Sequence, residues 1–413
     1  DVVNGKNILS VEVFSADIVR VRRSAGKSRD RRSLSVIMKP ETAGWYVEDS
    51  WLVTEKLRLK IESEGGKISF YSKEGKLLLE EKAGASMIRP VVVSGEKCVN
   101  ASQGFSRAKN EALYGLGQYE EDFMNYRDCE VLMIQANRVI VNPFLVSTSG
   151  YGLLWDNYSE TVFRAKGAEF SFDSEVADGI DYYFMSGGTI DGSIALYRKL
   201  TGAAPMFPKW VFGFWQSKER YVDQDELVYI IKECRKRGIP MDAIVQDWRY
   251  WGENEVFSGM EWEKYRFPDP EGMMRKIHGL NSHLMCSFWP ALGPDSKPHK
   301  ELLKKGHMFK GPHWTGSKLY DAFSDEARKI YWKYVKKCLY DKGVDAYWMD
   351  GTEAEFVSAE DRFVLAETYK ANGRNELGTM ARYLNAFSLM TTKGVYEGHR
   401  AVKGNKRRVF TLT

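Results

Sequence analysis

The run Val344-Asp-Ala-Tyr-Trp-Met-Asp350-Gly-Thr-Glu353-Ala-Glu355 holds the residues best suited to chemistry. Apolar and aromatic positions following Gly343 predict a short, buried parallel strand. It breaks at Asp350-Gly351, which leaves a carboxylate at the strand's C-terminal end. In a barrel of alternating strands and helices, that rim carries the reacting groups. A carboxylate there, walled by Tyr347, Trp348 and Met349, is a candidate nucleophile. An Asp at a strand end also serves to cap the next helix, and the single motif leaves that reading open.

Other strand ends repeat the arrangement. Val211-Phe-Gly-Phe-Trp215-Gln leads into Ser217-Lys218-Glu219-Arg220-Tyr221. Met241-Asp-Ala-Ile-Val-Gln-Asp247 leads into Trp248-Arg249-Tyr250-Trp251, and a third run ends in Ser287-Phe-Trp289-Pro290. Aromatic residues flank each polar group. Sugars present apolar C–H faces ringed by hydroxyls, and flat rings beside polar groups suit them. The chain has 12 Trp, 22 Tyr and 21 Phe, enough to supply both a core and such a pocket.

Two kinds of element position these residues. Up to about residue 200 the pattern is β structure. Leu57, Leu59 and Ile61 alternate with charged residues, Gly65-Gly66 makes a turn, and Ile68 and Phe70 resume the alternation. A second turn at Ser72-Lys-Glu-Gly75 precedes Leu77-Leu-Leu79. Such punctuation predicts an antiparallel β-sandwich over 1–204. After Pro205-Met-Phe-Pro208, helices alternate with short apolar strands. Asp223-Gln-Asp-Glu226 resembles a capping box, Leu227, Ile230, Ile231 and Cys234 form an apolar face, and Gly238 is the stop. Ser324 opens a second such helix carrying Ile330, Tyr331, Tyr334, Val335 and Cys338, with Gly343 as its stop. These units predict a parallel sheet over 205–413, of the (β/α)8 barrel type. Strands are expected at 211–216, 241–247, 283–289, 344–350 and 409–413. Those five of the eight lead us to expect the N-terminal part of a barrel from a longer protein.

Bulk composition narrows the function classes. Lys+Arg 60 against Asp+Glu 56 is near balance, without a basic stripe, which argues against nucleic acid and anionic membrane as partners. No apolar run is long enough to span a bilayer. The chain opens at Asp1-Val-Val-Asn without a signal peptide; a cleaved signal leaves the same start, so cytoplasmic, periplasmic and secreted locations all stay open. The five cysteines are scattered and read as free thiols. Neither a metal nor another cofactor is expected: the six histidines show no ligand spacing, and His278 and His283 read as structural. Oligomeric state stays open, a homo-oligomer included.

With these residues in place, the chain resembles glycoside hydrolase family 31, the retaining α-glycosidases, and within it the α-xylosidase-like branch. The resemblance covers nearly all of the chain. It includes Leu113-Tyr-Gly-Leu-Gly-Gln118, Asn125-Tyr-Arg127, Pro143-Phe-Leu-Val-Ser147 and Tyr151-Gly-Leu-Leu-Trp-Asp156. It continues through Phe212-Gly-Phe-Trp-Gln-Ser-Lys-Glu-Arg-Tyr221, Val245-Gln-Asp-Trp248 and Arg266-Phe-Pro-Asp-Pro270. The most specific match is Trp348-Met-Asp-Gly-Thr-Glu353, where the family places its nucleophile. The resemblance implies attack by Asp350 on an anomeric carbon, and sugar hydroxyls held by Asp247. Trp289 and Trp348 line the pocket, with Trp215 and Trp248 as further aromatic contacts and Met349 beside the nucleophile. Glu353 holds the following loop, Lys218 and Arg220 orient carboxylates or remain solvated, and residues 118–125 are matched to the sandwich loop that helps close the pocket. The family's general acid/base lies on a loop after a later strand, expected beyond Thr413, so none is assigned; neither Asp247 nor Glu353 takes the role.

Retention needs two carboxyl groups about 5–5.5 Å apart, one ionised and one protonated. The nucleophile is therefore expected to have basic or hydrogen-bonding neighbours that hold its pKa down. The expected substrate is a terminal α-linked sugar, α-xylose favoured, as on xyloglucan-type oligosaccharides. An α-glucosidase, α-galactosidase or transglycosylase on the same scaffold is the near alternative, and a catalytically incomplete carbohydrate-binding fragment the alternative of another class.

Overall fold

Alternating apolar residues build the first half of the protein as antiparallel strands. The computed structural model describes residues 2–4, 7–26, 32–41, 44–357 and 361–413; Asp1 lies outside them. Leu57–Ile61 pairs antiparallel with Ile68–Ser72, placing Leu59 opposite Phe70 and Ile61 opposite Ile68. Leu57, Leu59, Ile68 and Phe70 are fully buried. These strands belong to a nine-stranded sheet; a seven-stranded sheet carries Ile18–Ala25, Ile180–Ser186 and Tyr151–Trp155. The apolar faces of both sheets share a core in which Phe70 stacks on Phe184 at 4.1 Å and Trp155 on Phe172 at 5.2 Å. Edge and stacked aromatic pairs of this kind add to plain area burial.

Among the described residues, the β grammar of the first 200 positions is interrupted once by helix. Ile190–Thr201 is α-helical, capped by the Thr189 side chain, which accepts from Gly192 N. Its Tyr197 stacks on Phe144 at 4.2 Å. The helix has few buried positions of its own, so its sequence carries a weak apolar stripe.

A buried polar network ties four strands of this unit together. Glu81 is fully buried, and its carboxylate accepts from Arg23 Nη2, from Tyr182 Oη at 2.7 Å and from Ile68 N at 2.8 Å. Arg23 Nη2 also donates to Gly66 O at 2.7 Å. Burial pushes the Glu81 carboxyl up, and Arg23 leads the groups that oppose it.

By compactness the chain divides into Asp1–Ala204 with Ala381–Asn385, and Pro205–Met380 with Ala386–Thr413. The short second piece of the first unit is firmly held. Arg382 donates to Glu96 Oε1 at 2.7 and 2.9 Å and reaches Asp178 Oδ2 at 3.2 Å, while Asn385 Nδ2 donates to Met133 O and Ser159 O at 3.0 Å.

The second unit is built on five parallel strands in the order Trp215–Gln216, Ala243–Gln246, His283–Phe288, Ala346–Met349 and Thr411–Leu412. Each follows a helical or turn segment, as in the first part of a (β/α)8 barrel. Asp223 caps Gln224–Lys236, accepting from Asp225 N and Glu226 N. Glu226 does not complete a reciprocal box; its carboxylate goes to Val222 N at 2.7 Å and Lys218 Nζ at 2.5 Å. Ser324 caps Asp325–Cys338, and Gly343 stands at φ 93° before the next strand. The first expected strand is shorter than its apolar run. Pro208 starts a 3-10 turn over Lys209–Phe212, and pairing begins only at Trp215. A side chain at Gly213 would run into the Asp242 carboxylate at 2.0 Å, so backbone rather than a pleated side chain meets Asp242 there. Among the described residues no helix is long and apolar enough to cross a membrane.

Candidate active site

Asp350 sits where the register of Ala346–Met349 against His283–Phe288 ends, its backbone N donating to Phe288 O at 3.0 Å. The side chain is half-buried, and its Oδ1 accepts from Gly351 N at 3.0 Å. Asp247 stands at the equivalent end of Ala243–Gln246. Its Oδ1 accepts from Trp248 N at 2.7 Å and from Ser287 Oγ at 2.8 Å, which locks its orientation. Glu353 and Glu355 follow in the loop and are half-buried.

These four carboxyls share a poorly solvated region, and the electrostatics follow. Burial, then the charges of Glu353 and Asp247, push the Asp350 carboxyl up to about 7. Burial also raises Asp247, Glu353 and Glu355. The sequence expectation of a carboxylate held down by its neighbours is overturned here. Among the described residues no cation pairs with Asp350, and like charges reinforce the desolvation.

Trp289 forms the wall. Its backbone N donates to Ser258 Oγ at 2.8 Å, and its carbonyl accepts from Tyr331 Oη at 2.8 Å and Ser258 Oγ at 3.1 Å. Phe257, His313 and Trp314 surround the ring at centroid distances of 5.6, 5.7 and 6.0 Å. Trp289 Nε1 and His313 Nε2 are buried without a hydrogen-bond partner. Burial lowers His313 to about 4, so its ring is neutral at pH 7. Its Nδ1 lies 2.9 Å from Thr315 Oγ1 and 3.4 Å from Thr315 N, and when Nδ1 accepts from these groups Nε2 carries the hydrogen. Two unpaired buried N–H groups beside a carboxylate cluster are what a polyhydroxylated ligand satisfies.

Gly351 sets the distance between wall and carboxylate. It stands at φ +64°, and an added Cβ would meet Trp289 ring carbons at 2.1 and 2.2 Å. Gly351→Ala is expected to displace the indole and lower kcat/KM on an aryl α-glycoside by roughly tenfold to a hundredfold. Steady-state kinetics with a folded variant check this; unchanged kcat/KM would remove Trp289 from the site.

The remaining sequence candidates fall in different places. The Trp248 ring faces the guanidinium groups of Arg249 at 4.5 Å and Arg220 at 5.8 Å. Lys218 pairs with Glu226 and lies 5.0 Å over Tyr221, fixing the entry to Gln224–Lys236. Trp215 and Trp348 pack with Trp210 and Phe410 against Val245, Met285 and Ala346 on one face of the sheet. Met349 is buried, and strand alternation puts it on the face of Tyr347, which meets His399, away from Trp348. His313, Trp314 and Ser258 are neighbours that the sequence did not single out, while Ser287 and Glu355 stood in its runs without an assigned role. Pro312-His313-Trp314 was the available signal, an aromatic loop without periodicity.

Residues 204–413 match the glycosyl hydrolases family 31 TIM-barrel domain. The chain is 37% identical over 383 residues to an alpha-xylosidase of Saccharolobus solfataricus, covering 87% of this chain and 51% of that protein. It is 26% identical over 442 residues to an uncharacterized family 31 glucosidase of Pseudescherichia vulneris, covering 97% of this chain and 79% of the relative. Among solved structures, a GH31 alpha-xylosidase from Xanthomonas citri superposes with a TM-score of 0.89 at 27% identity, over 99% of this chain and 62% of that one. A GH31 alpha-xylosidase from a soil metagenome, complexed with xylose, gives 0.87 at 25% identity over 99% and 64%. The chain thus spans about half the length of the Saccharolobus relative and under two thirds of these structures. The domain match, covering the whole of the parallel-sheet half, makes this chain a member of glycoside hydrolase family 31.

Proposed function

We propose that the protein is a retaining, exo-acting α-glycosidase that releases terminal α-linked sugars, with α-xylose favoured and xyloglucan-type oligosaccharides as substrates. The observation that carries this reading is the Asp350 carboxyl at a strand end, among Asp247, Glu353 and Glu355 and beside Trp289. An Asp350 oxygen forms a bond to the anomeric carbon as the bond to the leaving group breaks, giving a glycosyl ester that water then hydrolyses. The transition state carries positive charge on the sugar ring, and the surrounding carboxylates favour that charge. Trp289 Nε1 and His313 Nε2 donate to hydroxyls. The likeness to alpha-xylosidases supports the sugar preference. No residue of this chain is assigned as general acid/base.

The test separates the nucleophile from the acid. A fluorinated α-xylosyl fluoride loses fluoride without protonation, so the chain is incubated with it and its peptides are mapped by mass. Label on the peptide containing Asp350 is the expected result. Its rate should rise roughly tenfold per pH unit below about 7 and level off above, because the attacking carboxylate must be ionised. Label elsewhere, or none on folded protein, sinks the assignment and favours a carbohydrate-binding fragment. Aryl α-glucoside cleaved tenfold faster than aryl α-xyloside would overturn the sugar preference, a difference of about 1.4 kcal/mol.

A further inference from the structure

The opposite end of the parallel strands holds a second cluster of reactive side chains. His283 opens His283–Phe288, Asp345 immediately precedes Ala346–Met349, and His278 lies in the last turn of the helix Pro270–Gly279. Among the described residues these three bring ligating atoms within 4.8 Å of one another. His278 Nε2 is 2.9 Å from Asp345 Oδ2 and 3.2 Å from Oδ1, and His283 Nδ1 is 3.4 Å from Oδ1. Zinc bonds of about 2.0–2.2 Å to nitrogen and oxygen imply ligand-to-ligand edges of about 3.4 Å in a tetrahedron. The two edges at Oδ1, 3.2 and 3.4 Å, are close to that length.

Two further features separate this cluster from an ordinary His–Asp pair. His283 Nδ1 is buried 3.4 Å from Asp345 Oδ1 without a well-formed hydrogen bond, a separation that leaves room for an ion to bridge the two. The groups around the ligands also fix their orientation. Trp210 stacks on the His283 ring at 4.2 Å and 16°, and Leu284 N donates to Asp345 Oδ2 at 3.0 Å, so the ring and the carboxylate are both held in place. Metal-binding carboxylates and imidazoles are held in this way.

We propose that His278, His283 and Asp345 bind a divalent transition-metal ion, zinc in the first instance, as a clasp joining a helix and two strands at the N-terminal end of the sheet. Two imidazoles and one carboxylate suit Zn2+, Co2+, Ni2+ and Cu2+ rather than Mg2+ or Ca2+, which prefer all-oxygen cages. The half-exposed His278 leaves room for water to complete the shell.

The full chain, stripped with chelator, is titrated with Zn2+ by calorimetry, and its melting temperature is followed as zinc is added. One bound ion and a saturable rise in melting temperature are expected. Because Asp345 also holds strand backbone, the diagnostic variants are His278→Ala and His283→Ala. Each should weaken zinc binding at least about tenfold, the size of effect that ligand-shell changes produce. Substitution with Co2+ should give visible ligand-field bands without thiolate charge-transfer bands. No binding, binding that survives both variants, or a thiolate spectrum pointing to the free cysteines would overturn the proposal.

Discussion

Replacing Asp350 with Asn is expected to abolish turnover and, above pH 7, to make the protein more stable. Asn keeps the shape of the side chain but cannot form a glycosyl ester, so under the proposed mechanism kcat should fall by roughly 10^4-fold or more. The stability gain follows from the same burial that tunes the group. Asp350 titrates near 7 in the folded protein against an ordinary 3.8. Its folded form therefore holds a proton that the unfolded chain releases, and stability is lost as pH rises between these values. Above pH 7 the cost of the buried anion reaches at most about 4 kcal/mol, and Asn removes it. Below pH 4 both forms are neutral and the gain should vanish. Melting curves at pH 4 and pH 8, read beside activity, decide the point: an equal effect at both pH values would mean that charge burial is not the cause, and residual wild-type turnover would end the role of Asp350.

The second large effect belongs to Arg23. Arg23→Met strands the Glu81 carboxylate in the sandwich core with only Tyr182 Oη and Ile68 N as donors. Removing a single partner of a buried pair typically costs about 3–5 kcal/mol, because the remaining charge is uncompensated. The sign with pH follows from Glu81. Burial already raises its carboxyl, and loss of the cation raises it further, so the destabilisation should be largest at alkaline pH and shrink as the acid takes up a proton. Adding Glu81→Gln should return much of the loss. Urea unfolding of the single and double variants at pH 5 and pH 8 checks all three statements; a single-variant loss below about 1 kcal/mol, the range of exposed pairs, would contradict them.

Legibility of the sequence divides by the range of the interactions. Leu57–Ile61 and Ile68–Ser72 pair as alternation and the Gly65-Gly66 turn dictate, because both signals are local. The end of the strand at Asp350 was equally legible, since an apolar run followed by Asp-Gly leaves little choice of terminus. The helix Phe387–Arg400 was not, because it packs on Asp325–Cys338 through Gly394 and Gly398. At Gly398 an added Cβ would meet Trp332 at 2.3 Å, so the glycines mark a tight crossing where sequence reads a helix breaker. The raised Asp350 carboxyl comes from burial in the folded sheet, reinforced by Glu353 on its own loop and Asp247 on another strand end, and the His278, His283 and Asp345 cluster from three separate elements. Neither shows in residue spacing, because both exist only once the sheet has formed.

The return of Arg382 and Asn385 to the sandwich also bears on the order of events during synthesis. The first unit is discontinuous: after residue 204 the ribosome must add the chain up to residue 385 before its last piece exists. At ordinary elongation speeds that interval is roughly 10 to 40 s. Throughout it Glu96 lacks the Arg382 guanidinium, and the Met133 and Ser159 carbonyls lack the Asn385 amide. A nascent sandwich thus waits, partly unlatched, for a segment encoded within the other half of the gene.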